Sequence, residues 1–128
     1  MMDHKTVEEY VLSMAGARLE YPFGEDVAVY KVASKIDPKV GSKDTGKMFA
    51  LIAEKSDPLR LSLKCDPQLA VVLREKYETV LEGYHLNKKH WNTILLTGQL
   101  PWEEVQGLIR HSYQLVSGSV EDQAPRVE

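Results

Sequence analysis

"LRLSLKCDPQLAVVLREKY", residues 59–77, changes its hydrophobic period halfway along, and the fold follows from where the change falls. Leu59, Leu61 and Leu63 alternate with Arg60, Ser62 and Lys64, the pattern of a strand with one face in the core and one in water. Asp66 and Pro67 then open a helix. The carboxylate is placed to accept from free N–H groups of the first turn, and proline's missing N–H costs nothing there. Leu69, Val72, Leu73 and Tyr77 follow at helical spacing as its expected buried stripe. Cys65, the only cysteine, continues the apolar side of the strand and reads as a buried, inert thiol.

Working back towards the start, "MFALIA" (48–53) is apolar on both faces and reads as a central strand. "VAVYKV" (27–32) reads as another. Between them lies "SKIDPKVGSKDTGK", rich in lysine, glycine and turn formers. It is expected to be a long solvated loop, either mobile or functional. "LEYPFGED" is expected to be a bend. Val7, Tyr10, Val11 and Met14 form one helical stripe, with Thr6 and Glu9 spaced as a capping box and Gly16 as the stop.

Working forward, "TVLE" and "WNTILLT" flank the polar segment "GYHLNKKH" and predict a hairpin. A last helix after "GQLP" carries Glu103 and Glu104 in its first turn, where the helix dipole favours acids, and Val105, Leu108, Ile109, Ser112 and Val116 on its inner face. The expected domain is residues 1–117, with 118–128 a flexible tail. Its fold class is α+β in two layers, with one antiparallel five-stranded sheet covered on one side by helices, in the order α-β-β-β-α-β-β-α.

The chain has 128 residues, 43% hydrophobic and 27% charged, as a single soluble domain does. There is no apolar run long enough for a membrane span, and the acidic, polar start is unlike a signal peptide. These features point to a cytoplasmic protein with no membrane partner. The net charge of −3 disfavours a protein that coats nucleic acid indiscriminately. Charge is nevertheless uneven: residues 30–64 hold eight Lys or Arg against four acids, and residues 83–102 add Lys88 and Lys89 with no acid. One basic face on an acidic chain is what phosphate contact requires.

Catalytic and metal chemistries find little support. His85 and His90 are five apart, off both helical and strand registers for shared ligation, with no acid or cysteine between them. Ser, His and Asp are present, but no Gly-x-Ser-x-Gly elbow is. "GSKDTGK" matches G-x4-G-K but lacks the Ser or Thr that would hold magnesium and runs into a strand instead of a helix. The residue types left to explain are those that meet phosphates and bases: Lys88, Lys89, Asn87, His90, Asn92, Tyr84 and His85 on the hairpin, with Arg60 and Lys64 on the half-buried strand. For Trp91 the packing role, at the start of a strand, outweighs a stacking one.

The segments "YPFG", "VYKV", "KMFALI", "LSLKCDP", "LREKY", "GYHLNKKHWNTILL", "LP" and "LIRHSYQLV" together resemble the MmcQ/YjbR family over about residues 5 to 117. The run GYH-x-NK-x-HWNT is the most specific element of the match. The resemblance implies a secretion-chaperone-like or CyaY-like fold and a sheet with hairpins like a double-wing DNA-binding module. It implies no enzymatic activity and no cofactor. The expectation is a non-enzymatic DNA-binding protein, with a monomer favoured. The alternatives are a chaperone-like adaptor that docks a protein partner on the sheet or between helices, and a small-molecule pocket around Tyr84, His85 and His90.

Overall fold

The computed structural model describes residues 3–33, 46–83 and 86–118. Most of the lysine-rich connection, Tyr84, His85 and the tail beyond Gly118 lie outside the described residues. The chain runs α1 (His4–Leu12), β1 (Arg18–Glu20), β2 (Val27–Val32), β3 (Lys47–Ala53), β4 (Arg60–Lys64), α2 (Pro67–Lys76), β5 (Val80–Glu82), β6 (Trp91–Leu95) and α3 (Trp102–Ser117). The six strands form one antiparallel sheet in the order β1-β2-β3-β4-β6-β5, with β3 and β4 at its centre.

The five-strand expectation is therefore corrected to six. The missed strand, β1, is three residues long, and its lone apolar side chain, Leu19, packs against the core. Its flanking Glu20 reaches across to Lys31 of β2 at 3.2 Å. A strand that short shows no period to read.

The helices cover one face. Ala28, Tyr30, Phe49, Ile52, Leu61, Leu63 and Ile94 from the sheet meet Val7 and Val11 of α1, Ala70 and Leu73 of α2, and Val105, Leu108, Ile109 and Val116 of α3 in one buried cluster. β2 and β3 are in register from Val27 opposite Ala53 to Tyr30 opposite Ala50, then slip so that Lys31 faces Met48. Phe49 is the extra residue, and the bulge lets Phe49 and Ala50 both enter the core.

Two local expectations change. The first helix begins three residues earlier than its capping-box reading. Asp3 is the N-cap and accepts from the Thr6 N–H at 2.9 Å, which also holds its carboxyl below the usual range. On α2 Asp66 caps as expected, accepting from Gln68 and Leu69. Val72, however, is 49% exposed, so the buried stripe is Ala70 and Leu73, with Leu69 and Tyr77 partly buried. Helix α2 packs against β5 and β6, the pair at one edge of the sheet, and that contact decides which of its residues face in.

Helix α3 ties the sheet together by polar as well as apolar contacts. Ser112 Oγ accepts from the Lys64 N–H at 2.9 Å and donates to the Phe49 carbonyl at 2.5 Å, satisfying the end of β4 and the bulge of β3 together. The Asp66 N–H donates to His111 Nε2 at 3.1 Å, which requires that nitrogen to be unprotonated. Burial lowers the His111 pKa from its ordinary 6.5, and the nearby Asp66 carboxylate only partly opposes this. The unfolded chain therefore takes up this proton first as pH falls. The His111 contribution is complete above about pH 6.5 and is lost as pH drops through the lower folded value. Urea midpoints are expected to fall between pH 7.5 and 5.5 in the native sequence, and to fall less in His111→Gln, whose amide oxygen can still accept.

Cys65 is buried in the core cluster, and burial pushes its thiol up to about 12. It is un-ionised at neutral pH, in agreement with the inert-thiol expectation. No described helix is long and apolar enough to cross a membrane.

Candidate binding face

With all three helices on one side, the other face of the sheet carries the alternate residues: Val27, Val29 and Lys31 on β2, Met48, Leu51 and Ala53 on β3, Arg60, Ser62 and Lys64 on β4, and Trp91 and Thr93 on β6. An antiparallel sheet face turned away from the helices is ordinarily polar. Here Val29, Leu51 and Trp91 form a second buried cluster, with Val27, Met48 and Leu86 packed around it. Trp91 takes the packing role expected of it, but in this second cluster and not in the main core.

Lysines gather at one end of this face. Strand β2 ends where β3 begins, with Val32 opposite Lys47, and Lys64 at the end of β4 stands opposite Trp91 at the start of β6. Lys31, Lys47 and Lys64, from three strands, line a single recess of about 380 Å³ with Met48, Trp91 and Phe23. Lys31 and Lys47 belong to the basic segment visible in the sequence, but nothing there singled them out. Their convergence needs the strand registers and the bulge after Tyr30.

The turn before β6 continues the same end. Asn87 Oδ1 accepts from the N–H groups of Lys89 and His90 at 2.9 and 3.3 Å, folding a tight polar turn that leaves Lys88 and Lys89 exposed. The His90 carbonyl accepts from the Cys65 N–H at 2.8 Å, pinning the turn to the end of β4. Asn87 therefore shapes the turn, and the two lysines are what it presents.

Asn92 is a correction. Its side chain is 3% exposed and points to the helix layer. There Nδ2 donates to the Ala70 carbonyl at 3.2 Å and Oδ1 accepts from Arg74 at 2.7 Å. It locks α2 onto β6 and cannot meet a nucleic acid. Strand alternation from Trp91 puts it on that side, once the side that Trp91 faces is known. Arg60 and Lys64 stand on the open face as expected, while Tyr84 and His85 lie outside the described residues.

Phe23 is a residue that sequence reading passed over. It sits in the bend between β1 and β2, is 65% exposed, and borders both the lysine recess and a second, apolar recess beside it. Among the described residues no group of three or more His, Cys, Asp and Glu side chains is arranged to hold a metal ion.

A two-layer α+β domain with a lysine-ended sheet face that no described helix covers is the class that this geometry defines. The YjbR family model matches residues 12–115, and the chain belongs to the YjbR family. It is 29% identical to the uncharacterised protein YbdF of Escherichia coli O157:H7 over 113 residues, 88% of this chain and 83% of that protein. It is 40% identical to the uncharacterised protein YjbR of E. coli K12 over 67 residues, 52% of this chain and 57% of that one. Among solved structures, Deinococcus radiodurans DR2400, described as a DUF419 domain, superposes with a TM-score of 0.80 at 34% identity, covering 98% of this chain and 86% of that one. A Pseudomonas syringae protein superposes with a TM-score of 0.68 at 30% identity, covering 90% and 99%.

Proposed function

We propose that this YjbR domain is a non-enzymatic DNA-binding protein that sets the lysine end of its open sheet face and the Asn87–His90 turn against the phosphate backbone. The observation that carries the reading is the convergence of Lys31, Lys47 and Lys64 from three strands on one recess, with Lys88 and Lys89 exposed on the adjoining turn. Glu20 offsets part of this charge by its 3.2 Å pair with Lys31. Phosphate contacts position a protein without reading sequence, so the proposal is for binding with weak sequence preference. The double-wing resemblance supports a duplex as the partner.

An adaptor that docked its partner by strand addition has less support, because that needs a long free edge and β1 and β5, the edge strands among the described residues, are three residues each.

Fluorescence anisotropy with a random-sequence duplex over a salt series tests the reading. Log affinity is expected to fall with log salt at about −0.9 per neutralised phosphate. Lys88→Ala combined with Lys89→Ala is expected to reduce the slope by about 2, and Lys31→Gln combined with Lys64→Gln by a similar amount. Absence of salt-dependent binding, or slopes that these changes leave alone, would overturn it.

A further inference from the structure

The nucleic-acid reading leaves the apolar half of the open face unused. Beside the lysine recess lies a second concavity of about 340 Å³, walled by Phe23, Val27, Leu51, Ala53 and Leu86. Its remaining lining is Arg60, Ser62 and Thr93, and the last two are turned on one another: Ser62 Oγ and Thr93 Oγ1 are 2.8 Å apart and share a hydrogen bond. A volume in this range, mostly apolar lining and a charged neighbourhood are the features of a small-molecule site. A duplex backbone has no apolar body that would enter it.

We propose that the open face binds a free, small amphipathic anion, its aryl or branched aliphatic body seated between Phe23 and Leu51 and its acid group directed to Lys31, Lys47 and Lys64. Three observations favour such an occupant over a neutral one or a second copy of the chain. The two recesses share Phe23 as a common wall, so one molecule can touch both. The compartment beside the apolar one is lined by three lysine side chains, of which Lys31 pairs with Glu20. Phe23, a large ring 65% exposed, stands where the two recesses meet, whereas Trp91, which lines the lysine recess, is already buried against Val29. A concave, charged seat suits a compact acid. A protein–protein interface would present a broader apolar core with fewer charges.

Anilinonaphthalene sulfonate, an aryl anion, is the probe, with N-phenyl-1-naphthylamine as the same ring system lacking the acid. Fluorescence and calorimetric titration of the folded protein are expected to show one saturable site for the sulfonate, with the neutral amine at least tenfold weaker. Phe23→Ser, at an exposed position that folding does not depend on, should weaken the sulfonate at least fivefold. Lys31→Gln with Lys64→Gln should weaken the sulfonate similarly and leave the amine unchanged. Val72→Ser, exposed on α2 in the opposite layer, should change neither. Methyl resonances of Val27, Leu51 and Leu86 should shift with the same midpoint. Non-saturating fluorescence, equal affinities for the two probes, or Phe23→Ser binding like the native sequence would overturn the proposal. The titration contains no nucleic acid, so its outcome is independent of the duplex experiment.

Discussion

Ser112→Ala is expected to destabilise the native domain by about 2–4 kcal/mol, seen as a matching drop in unfolding free energy in urea. The hydroxyl is fully buried and serves two backbone groups, the Lys64 N–H and the Phe49 carbonyl, that have left the regular ladder at the end of β4 and at the bulge. Removing it leaves a donor and an acceptor without their partner, each costing about 1–3 kcal/mol where water cannot reach. Ser112→Thr keeps the oxygen and is the matched control for hydrogen bonding; its added methyl tests packing alone. The same change loosens the backbone that carries Lys64. A loss of duplex affinity in Ser112→Ala greater than its loss of folded protein would show that Lys64 needs this anchor.

Gly83→Ala is expected to cost about 2–3 kcal/mol, at the upper end for one methyl forced into a packed site. A Cβ at residue 83 would stand 2.7 Å from the Trp91 Cβ and 3.1 Å from the Trp91 carbonyl oxygen. Those atoms belong to or adjoin backbone that pairs with β4, so relief requires β5 or the turn to move. The Gly83 N–H also donates to that carbonyl at 3.0 Å, and the bond would lengthen with the shift. Near-ultraviolet dichroism of the tryptophans should report a disturbed Trp91 environment at denaturant concentrations where the native sequence is unchanged. Unchanged stability would mean that the glycine is not held by this contact.

These two residues mark where the sequence could and could not be read. Long periodic segments were legible: the leucine alternation of β4, the doubly apolar β3 and the inner stripe of α3 stand where the pattern put them. Gly83 was legible as a hairpin glycine, and its reason, the approach of Trp91, needed coordinates. Strand β1 was hidden because three residues around one leucine have no period. Val72 was misplaced because a helix stripe of valines and leucines leaves the exact facing angle open. Asn92 was misassigned for a different reason. Polar residues near a lysine-rich turn look like ligand contacts, and only the opposite-facing Trp91 shows that Asn92 points into the helix layer. The binding face was half visible. The excess of lysine between residues 30 and 64 was countable, but a recess made from Lys31, Lys47 and Lys64 depends on two strand pairings and a bulge.

The central strands depend on α3, and that dependence bears on how the domain is made. The hydroxyl and imidazole that satisfy backbone at the bulge of β3, the end of β4 and the start of α2 come from residues 111 and 112, 45 to 63 positions later in the chain. A nascent chain that has emerged only as far as β6 has all its strands yet bare apolar and polar ends on the helix side. Folding during synthesis should therefore wait for α3 to clear the ribosome exit tunnel, and a translational pause upstream of that point would lengthen the exposure of an uncovered sheet.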